Sequence, residues 1–159
     1  FIEESLVTLN PDEVWIDSVA FDEAVARGEP IGEVESLYRG DFLREETDAP
    51  WAFRVRDRLR DRFARAVVNA GQSLELAGDF GAAVELYRRG IDVAETSEGL
   101  YQGLIRCFVA QRRWADAYWT YERLRHVLAM TLGILPSPST DELLPRSARL
   151  EEVKPNAAR

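Results

Sequence analysis

The sequence of 159 residues contains one cysteine, one histidine and one methionine, and this scarcity excludes several classes of site. A single thiol, Cys107, cannot form an internal disulfide, and with His126 as the sole imidazole a Cys/His zinc cluster is excluded too. No phosphate-binding loop occurs among the ten glycines, and no Gly-x-Ser-x-Gly nucleophile motif is present. The sequence therefore predicts a protein that is not an enzyme, with no catalytic residue, cofactor or metal.

Long apolar runs and an excess of positive charge are also missing. No stretch approaches membrane-spanning length, and the N-terminus lacks the basic region and apolar stretch of a secretion signal. The formal net charge is −8, so the chain as a whole should repel a phosphate backbone. These features predict a cytoplasmic domain without membrane or direct nucleic-acid contact. Because the sequence begins at Phe1 rather than Met, we expect a piece of a longer protein.

A helical repeat occupies residues 67–132. At an offset of 34 residues, Ala83 aligns with Ala117 and Tyr87 aligns with Tyr121. This period and this alternation of small and aromatic residues are typical of tetratricopeptide-type helix–turn–helix units. The small residue lets two helices cross closely, and the ring one turn later fills the groove beside it. We therefore expect an all-α fold of stacked helical hairpins.

Periodicity and capping signals predict about seven helices. They should cover residues 17–27, 32–38, 50–77, 80–94, 97–111 and 114–133, and a short last helix should begin at the capping box of residues 139–142. Upstream, residues 6–9 and 14–16 flank a turn-forming Asn-Pro-Asp-Glu segment and predict a small β-hairpin.

These elements predict a division of the chain into three parts. Residues 1–16 should form the β-hairpin, which we expect to lie against helices or to be the seam to a missing upstream domain, because a lone hairpin is marginal in water. Residues 17–153 should form the tetratricopeptide-like helical domain, and residues 154–159 a disordered tail.

Six short sequence motifs lie along the chain. They lie at residues 37–43 (LYRGDFL), 50–51 (PW), 56–60 (RDRLR), 78–83 (GDFGAA), 121–125 (YERLR) and 132–140 (LGILPSPST). Together they resemble the bacterial transcriptional activator domain, the tetratricopeptide-like module of antibiotic-regulatory-type activators. The resemblance covers most of the chain. It implies a module that follows a winged-helix DNA-binding domain, or that belongs to a larger regulator with a nucleotide-binding module.

Arginines crowd the predicted third helix. Arg54, Arg58 and Arg62 share one face, and a basic helix can follow phosphates. Interleaved Asp57 and Asp61 can instead pair with arginines along the helix, at ~0.2–0.5 kcal/mol per pair. A solvated face is the preferred interpretation, and partner docking or nucleic-acid binding are the alternatives.

Aromatic residues crowd the predicted sixth helix. Trp114, Ala117, Tyr121 and Leu124 fit one inward-facing stripe. Trp119 falls off this stripe. If it is exposed, it is a candidate for partner contact, because Trp is enriched at binding hot spots.

The first helix of each hairpin should line a concave surface. By resemblance, that surface takes Arg65, Val68, Gln72 and Glu75 from one hairpin and Gln102, Arg106 and Val109 from the next. It would suit an extended peptide or another domain of the same protein. The alternative is a groove filled by the domain's own N-terminal helices, since the ends of stacked repeats need covering.

Two isolated reactive groups have simple interpretations. Cys107 beside Phe108 should be a small buried hydrophobe. His126 follows Glu122 by four residues, which favours a surface pair over a catalytic base.

The sequence thus predicts a non-enzymatic regulatory domain of a bacterial transcriptional activator. It would transmit a signal or contact a protein partner or another domain of its own polypeptide, while a separate domain binds DNA. A homodimer is left open. The alternatives are a free-standing peptide-binding adaptor of the co-chaperone kind and direct nucleic-acid binding through the arginine-rich helix.

Overall fold

Seven helices form the described part of the chain in the computed structural model. The structure describes residues 2–3, 6–7, 10, 13–45 and 50–144. The helices are α1 (Asp17–Arg27), α2 (Ile31–Leu37), α3 (Pro50–Leu76), α4 (Phe80–Val93), α5 (Glu98–Ala110), α6 (Trp114–Leu132) and α7 (Pro138–Asp141). Two strands of two residues, β1 (Ile2–Glu3) and β2 (Leu6–Val7), pair antiparallel. The predicted all-helical architecture is confirmed.

The predicted β-hairpin is wrong. Its second strand, Val14–Ile16, is not a strand, and Thr8 and Leu9 of its first strand lie outside the described residues. The Asn10 carbonyl accepts hydrogen bonds from the backbone N–H groups of Glu13 and Val14, both at 3.1 Å. Helix α1 begins at Asp17, directly after residues 14–16, and β2 pairs with β1 instead.

Several helix ends follow their predicted signals, and the last helix differs most from its prediction. Gly78 and Gly133 have φ of +77° and +69° at the ends of α3 and α6, a conformation that glycine adopts without strain. The Asp79 side chain caps α4 by accepting a hydrogen bond from the backbone N–H of Ala82. This last helix, α7, begins at Pro138 rather than after Ser139. Proline is well suited to the first turn of a helix, so it sets this start.

The chain divides into two compact units, Phe1–Ala66 and Val67–Arg159, with the boundary inside α3. In the first unit, α1 and α2 pack against each other. The Tyr38 ring lies 5.6 Å from that of Phe21 and stacks at 4.7 Å on that of Phe63. The side chains of Val34 and Leu59 in this unit are also buried.

Several arginines of α3 within the first unit bind the segments before α3, so the predicted solvated face is wrong for Arg56, Arg60 and Arg62, whereas Arg54 and Arg58 are exposed. Arg56 is buried and donates hydrogen bonds to the carbonyl oxygens of Phe42 and Leu43. Arg60 holds both carboxylate oxygens of Asp41, at 2.7 and 2.8 Å.

Asp22 of α1 takes two more of these arginines, Arg58 at 3.3 Å and Arg62 at 3.0 Å. The ion pair of Arg60 with Asp57 along the helix is present but longer, at 3.8 Å. The arginine-rich stretch therefore serves to tie α3 to α1 and to the loop after α2.

In the second unit, α5 packs against both α4 and α6. Ala83 and Ala117 are fully buried, as the repeat predicts. Trp114 is an exception: 45% of it is exposed, so its predicted place in the inward stripe is wrong. It is the first residue of α6, where the helix has just emerged from its connecting turn.

Candidate functional site

Tyr87 of α4 is fully buried at the centre of the second unit. Its ring lies against Gly71 of α3 and Gly103 of α5. A Cβ atom at Gly71 would come within 2.4 Å of the ring carbon Cζ, and one at Gly103 within 2.2 Å. Both helices can therefore approach the ring only because these two residues lack side chains. The sequence repeat identified the ring but not the two glycines.

The Tyr87 hydroxyl belongs to a polar network that links three helices. It donates a hydrogen bond to the Glu75 carboxylate of α3. Arg106 of α5 binds the same carboxylate through two hydrogen bonds, from Nε at 2.9 Å and from Nη2 at 2.8 Å. Two of the predicted groove residues, Glu75 and Arg106, are thus paired with each other.

Electrostatics in this network favour the ionised carboxylate. Burial alone raises the pKa of Glu75, but the hydrogen bonds from Arg106 and Tyr87 outweigh it and bring the pKa below its ordinary value. Burial first, and then the hydrogen bond to Glu75, raise the pKa of the Tyr87 hydroxyl. The pair Glu75–Arg106 therefore remains charged and bonded near neutral pH.

The chain after α6 covers another part of α5. We call residues 136–144, which include α7, the C-terminal strap. Glu98 at the start of α5 accepts hydrogen bonds from the Ser137 backbone N–H at 2.7 Å, the Ser137 hydroxyl at 2.6 Å and the Thr140 hydroxyl. Gln102, one turn further along α5, donates to Thr140 Oγ1 at 2.8 Å.

Glu98, Gln102 and Arg106 are spaced by four residues, so they form one polar stripe along α5. Glu98 and Gln102 bind the strap, whereas Arg106 binds α3. Gln102 is thus bonded to the C-terminal strap, and a groove filled by the N-terminal helices remains a prediction.

The other predicted groove residues have fewer contacts. Arg65 and Gln72 are exposed on α3, and Val68 and Val109 are half-buried. Arg65 lies in the first unit and the rest in the second. These side chains remain predictions as binding residues.

Trp119 stands on the wall of a cavity between α4 and α6, and 69% of it is exposed. The cavity has a volume of about 350 Å³. Its apolar lining comes from Ile91, Leu104 and Phe108, all of which are buried. An exposed indole beside a buried apolar surface is typical of a protein-contact site.

Charged groups of both signs surround the Phe108 ring. Arg113 and Arg88 place their guanidinium carbons 4.6 and 5.9 Å from the ring centroid. Arg113 pairs with Asp116 at 2.8 Å, and Arg88 pairs with Glu85 at 3.1 Å. These two guanidinium groups are thus held beside the Phe108 ring, each paired with a carboxylate.

Two further charged residues line the cavity and form no ion pair within the described ranges, Asp92 and Arg123. The buried hydroxyl of Tyr101 has no hydrogen-bond partner there either, and Arg123, Glu95 and Asp92 are the charges that act on it. This side of the unit thus holds unpaired polar groups beside an apolar surface.

The remaining reactive groups have structural positions. Cys107 is buried, as predicted, and burial raises the pKa of its thiol to about 12. His126 is exposed, and the nearby Glu122 pairs with Arg125 at 3.0 Å instead. Among the residues that the structure describes, no group of three or more metal-binding side chains comes together. Within the same residues, no helix combines the length and apolarity needed to cross a membrane.

Comparison with protein families decides the kinship of this fold. The family model of the bacterial transcriptional activator domain matches residues 16–146. The chain belongs to this family. The matched range contains all seven helices, the Trp119 cavity and the polar stripe of α5. The bacterial transcriptional activator domain is a regulatory family rather than an enzymatic one, and the predicted kinship is confirmed.

A solved structure shares the fold. Mycobacterium tuberculosis EmbR, determined in complex with a low-affinity phosphopeptide, superposes with a TM-score of 0.60 at 21% sequence identity. The match covers 84% of this chain and 40% of EmbR, so the chain spans less than half the length of that regulator. At this identity the likeness supports the fold of the activator domain. No curated protein matches the sequence significantly.

Proposed function

We propose that this domain is a non-enzymatic interaction module of a bacterial transcriptional activator, which contacts a protein partner while a separate domain binds DNA. Membership of the activator-domain family supports the regulatory setting. The net charge of −8 argues against a role in holding DNA directly, because phosphate contacts require an excess of basic groups. A regulator of transcription acts in the cytoplasm, where we expect this domain.

The exposed indole of Trp119 is the observation that carries the proposal. Its cavity offers an apolar floor with the volume of a few side chains, and Trp and Arg are the residue types that most often dominate binding energies at interfaces. Of the predicted binding residues, Trp119 is the one that combines exposure with a cavity.

The charges of the cavity indicate the partner chemistry. Arg123 can accept a carboxylate, and Asp92 can accept a basic group or another donor. The two charges cancel, so a run of phosphates gains little here. The best-fitting occupant is a protein segment that inserts an apolar side chain beside Trp119 and carries charged residues of both signs.

The alternative of a free-standing peptide-binding adaptor has weaker support. Such an adaptor needs open polar groups on its concave face, whereas Glu75, Arg106 and Gln102 are bonded to their own chain. Within the second unit, Gln72 is exposed and remains available to a partner.

Site-specific photo-crosslinking in the full-length activator tests the proposal. A benzophenone amino acid replaces Trp119, the crosslinks are formed in cells, and the crosslinked peptides are then identified by mass spectrometry. We expect crosslinks to another domain, to a second copy or to a partner protein. The Arg123→Glu substitution should reduce their yield, because it removes the guanidinium that receives the carboxylate of the partner.

Trp15 provides the matched control, since 68% of it is exposed and it lies in the first unit. A benzophenone at position 15 should give a different crosslink pattern. Equal, non-specific labelling from positions 119 and 15 would show that the indole merely faces solvent.

A further inference from the structure

Much of the attachment of the C-terminal strap depends on hydrogen bonds to one side chain, that of Glu98. Three donors of the strap converge on a single carboxylate oxygen: the backbone N–H and hydroxyl of Ser137 and the hydroxyl of Thr140. Gln102 adds a bond to Thr140, and the Tyr121 hydroxyl of α6 donates to Asp141 at 2.7 Å. Hydrogen bonds to an ionised acceptor are stronger than neutral ones.

The strap has little structure that could hold it in place without α5 and α6. Its helix α7 has four residues, fewer than an isolated helix needs to persist in water. Few of its side chains are buried, namely Pro136, Thr140 and Leu144. The strap therefore depends on the bonds to Glu98, Gln102 and Tyr121 more than on apolar burial.

The connection between α6 and the strap is exposed. Helix α6 ends at Gly133 with a left-handed cap, and Ile134 and Leu135 that follow are 51% and 73% exposed. Such a connection can change conformation without disturbing the buried side of α6. Segments with few buried contacts open locally at lower free energy than the whole fold.

The helices beneath the strap have a core of their own. On α5, Leu100, Tyr101 and Ile105 are fully buried, and α5 packs against both α4 and α6. The Tyr87 ring packs against Gly103 in the middle of α5 and against Gly71 of α3. Opening of the strap would leave these contacts in place.

We infer that the C-terminal strap is a displaceable cover of α5, which the Glu98 carboxylate keeps closed. In the closed state the strap occupies Gln102 and with it one end of the predicted peptide groove. In the open state Glu98 and Gln102 form a seat for an extended segment with hydroxyl groups, the chemistry that Ser137 and Thr140 supply from within the chain. The inference does not depend on the role proposed for Trp119.

Hydrogen exchange followed by mass spectrometry on the full chain tests this inference. In the wild-type protein, the amides of residues 137–144 should exchange through a local opening, faster than those of α4 and α5. Glu98→Ala should speed the exchange of residues 137–144 by about tenfold or more, since it removes hydrogen bonds to a charged acceptor. The core amides of α4 should keep their wild-type rates.

Two further variants distinguish the loss of the Glu98 contact with the strap from a general loss of stability. Thr140→Val removes the strap's buried hydroxyl while it keeps the shape of the side chain, and it should also speed exchange in the strap. Glu142→Ala removes an exposed acid of the same segment and should leave exchange unchanged. If the strap amides exchange only together with the α4 and α5 core, or if Glu98→Ala leaves them unchanged, the strap is a fixed part of the fold and the inference is wrong.

Discussion

Tyr87 and Tyr121 occupy the same position in two successive repeats, yet their surroundings differ. Tyr87 is fully buried between Gly71 and Gly103, and its hydroxyl donates to Glu75. Tyr121 is half-buried, and its hydroxyl donates to Asp141 of the strap. The first ring is enclosed by a complete following helix, α5, and the second is covered by a strap that contains only four helical residues.

The 34-residue offset explains this difference. It places Ser137 at the position equivalent to Gly103, so the strap stands where the first helix of a third repeat would begin to touch the ring. A full helix can approach a ring closely only through a residue without a side chain, whereas a short strap can turn around it. Stacked repeats need a cover at their last unit, and here a polar strap supplies it.

Gly103→Ala should produce the largest difference between the two repeats. The added Cβ would lie 2.2 Å from the Tyr87 ring, which is enclosed on all sides. We expect the free energy of unfolding to fall by about 3 kcal/mol through overpacking. Urea denaturation measures it from the midpoint and slope.

Gly99→Ala on the same helix is the control, since its Cβ would meet only Val68 at an ordinary 3.5 Å. That variant should be neutral or stabilised by up to about 1 kcal/mol, because alanine is the better helix former. Similar effects of the two substitutions would contradict the close approach at Tyr87.

Leucine at the two repeat alanines should have similar effects in both repeats, despite the different rings. Ala83 and Ala117 are both fully buried. Ala83→Leu and Ala117→Leu should each destabilise the protein by about 2 kcal/mol, since neither site has room for three more carbons. Ala82 and Ala115 are exposed neighbours on the same helices, so Ala82→Leu and Ala115→Leu are the matched controls. These two variants should change thermal stability little. A small effect at Ala117 alone would show that the second crossing is looser than the first.

Removing the two hydroxyl groups compares the polar contacts of the rings. Tyr87→Phe deprives the Glu75–Arg106 pair of a bond at a buried site, so we expect a loss of about 1.5 kcal/mol. Tyr121→Phe acts at a half-buried site and should destabilise by about 0.5 kcal/mol. Denaturant midpoints measured side by side test the order, and a larger effect at Tyr121 would reverse the comparison.

Lowering the pH should weaken both the Glu75 contact and the Glu98 contact, and this effect should be smaller than those of the substitutions above. Burial raises and hydrogen bonds lower the pKa of Glu75 and of Glu98, with a net decrease from the ordinary value of 4.5. A depressed pKa in the fold stabilises the protein above pH 4.5, and this contribution is lost as the pH falls through the folded-state pKa.

The stability gap between wild type and Glu75→Gln should therefore narrow from pH 7 towards pH 3. The difference between wild type and Glu98→Gln should narrow in the same way as the pH falls. If the strap opens locally, this difference should be seen only in the hydrogen-exchange rates of the strap amides. A gap that stays constant with pH would mean that the charge of the carboxylate does not matter for these contacts.

Helix bounds followed from local signals. The predicted ends of α3 and α6 agree with the structure because Gly78 and Gly133 adopt a backbone conformation that other residues resist. The fourth to sixth helices lie within about two residues of their predicted ranges, where apolar periodicity is strong. The hairpin failed because residues 14–16 have strand-forming side chains but no partner strand, and strand pairing is not a local property.

The partners of polar side chains could be predicted from the sequence much less well than the helix bounds. Glu75, Gln102 and Arg106 were placed on one surface, but nothing in the sequence indicates that Glu75 binds Arg106 or that Ser137 and Thr140 come to Glu98. These pairs are separated by more than thirty residues, so they depend on how the helices stack. Glycines within helices, such as Gly71 and Gly103, were the available signal of a close approach.

The amino-acid sequence by itself determined the helices, the small–aromatic repeat and the position of Trp119 outside the apolar stripe of its helix. These properties depend on neighbours within one or two helical turns. The packing of the helices decided the burial of Tyr87 against two glycines, the internal pairing of the groove residues and the docking of the strap on Glu98. Such contacts join distant segments, and they arise only when close-packed helices bring them together.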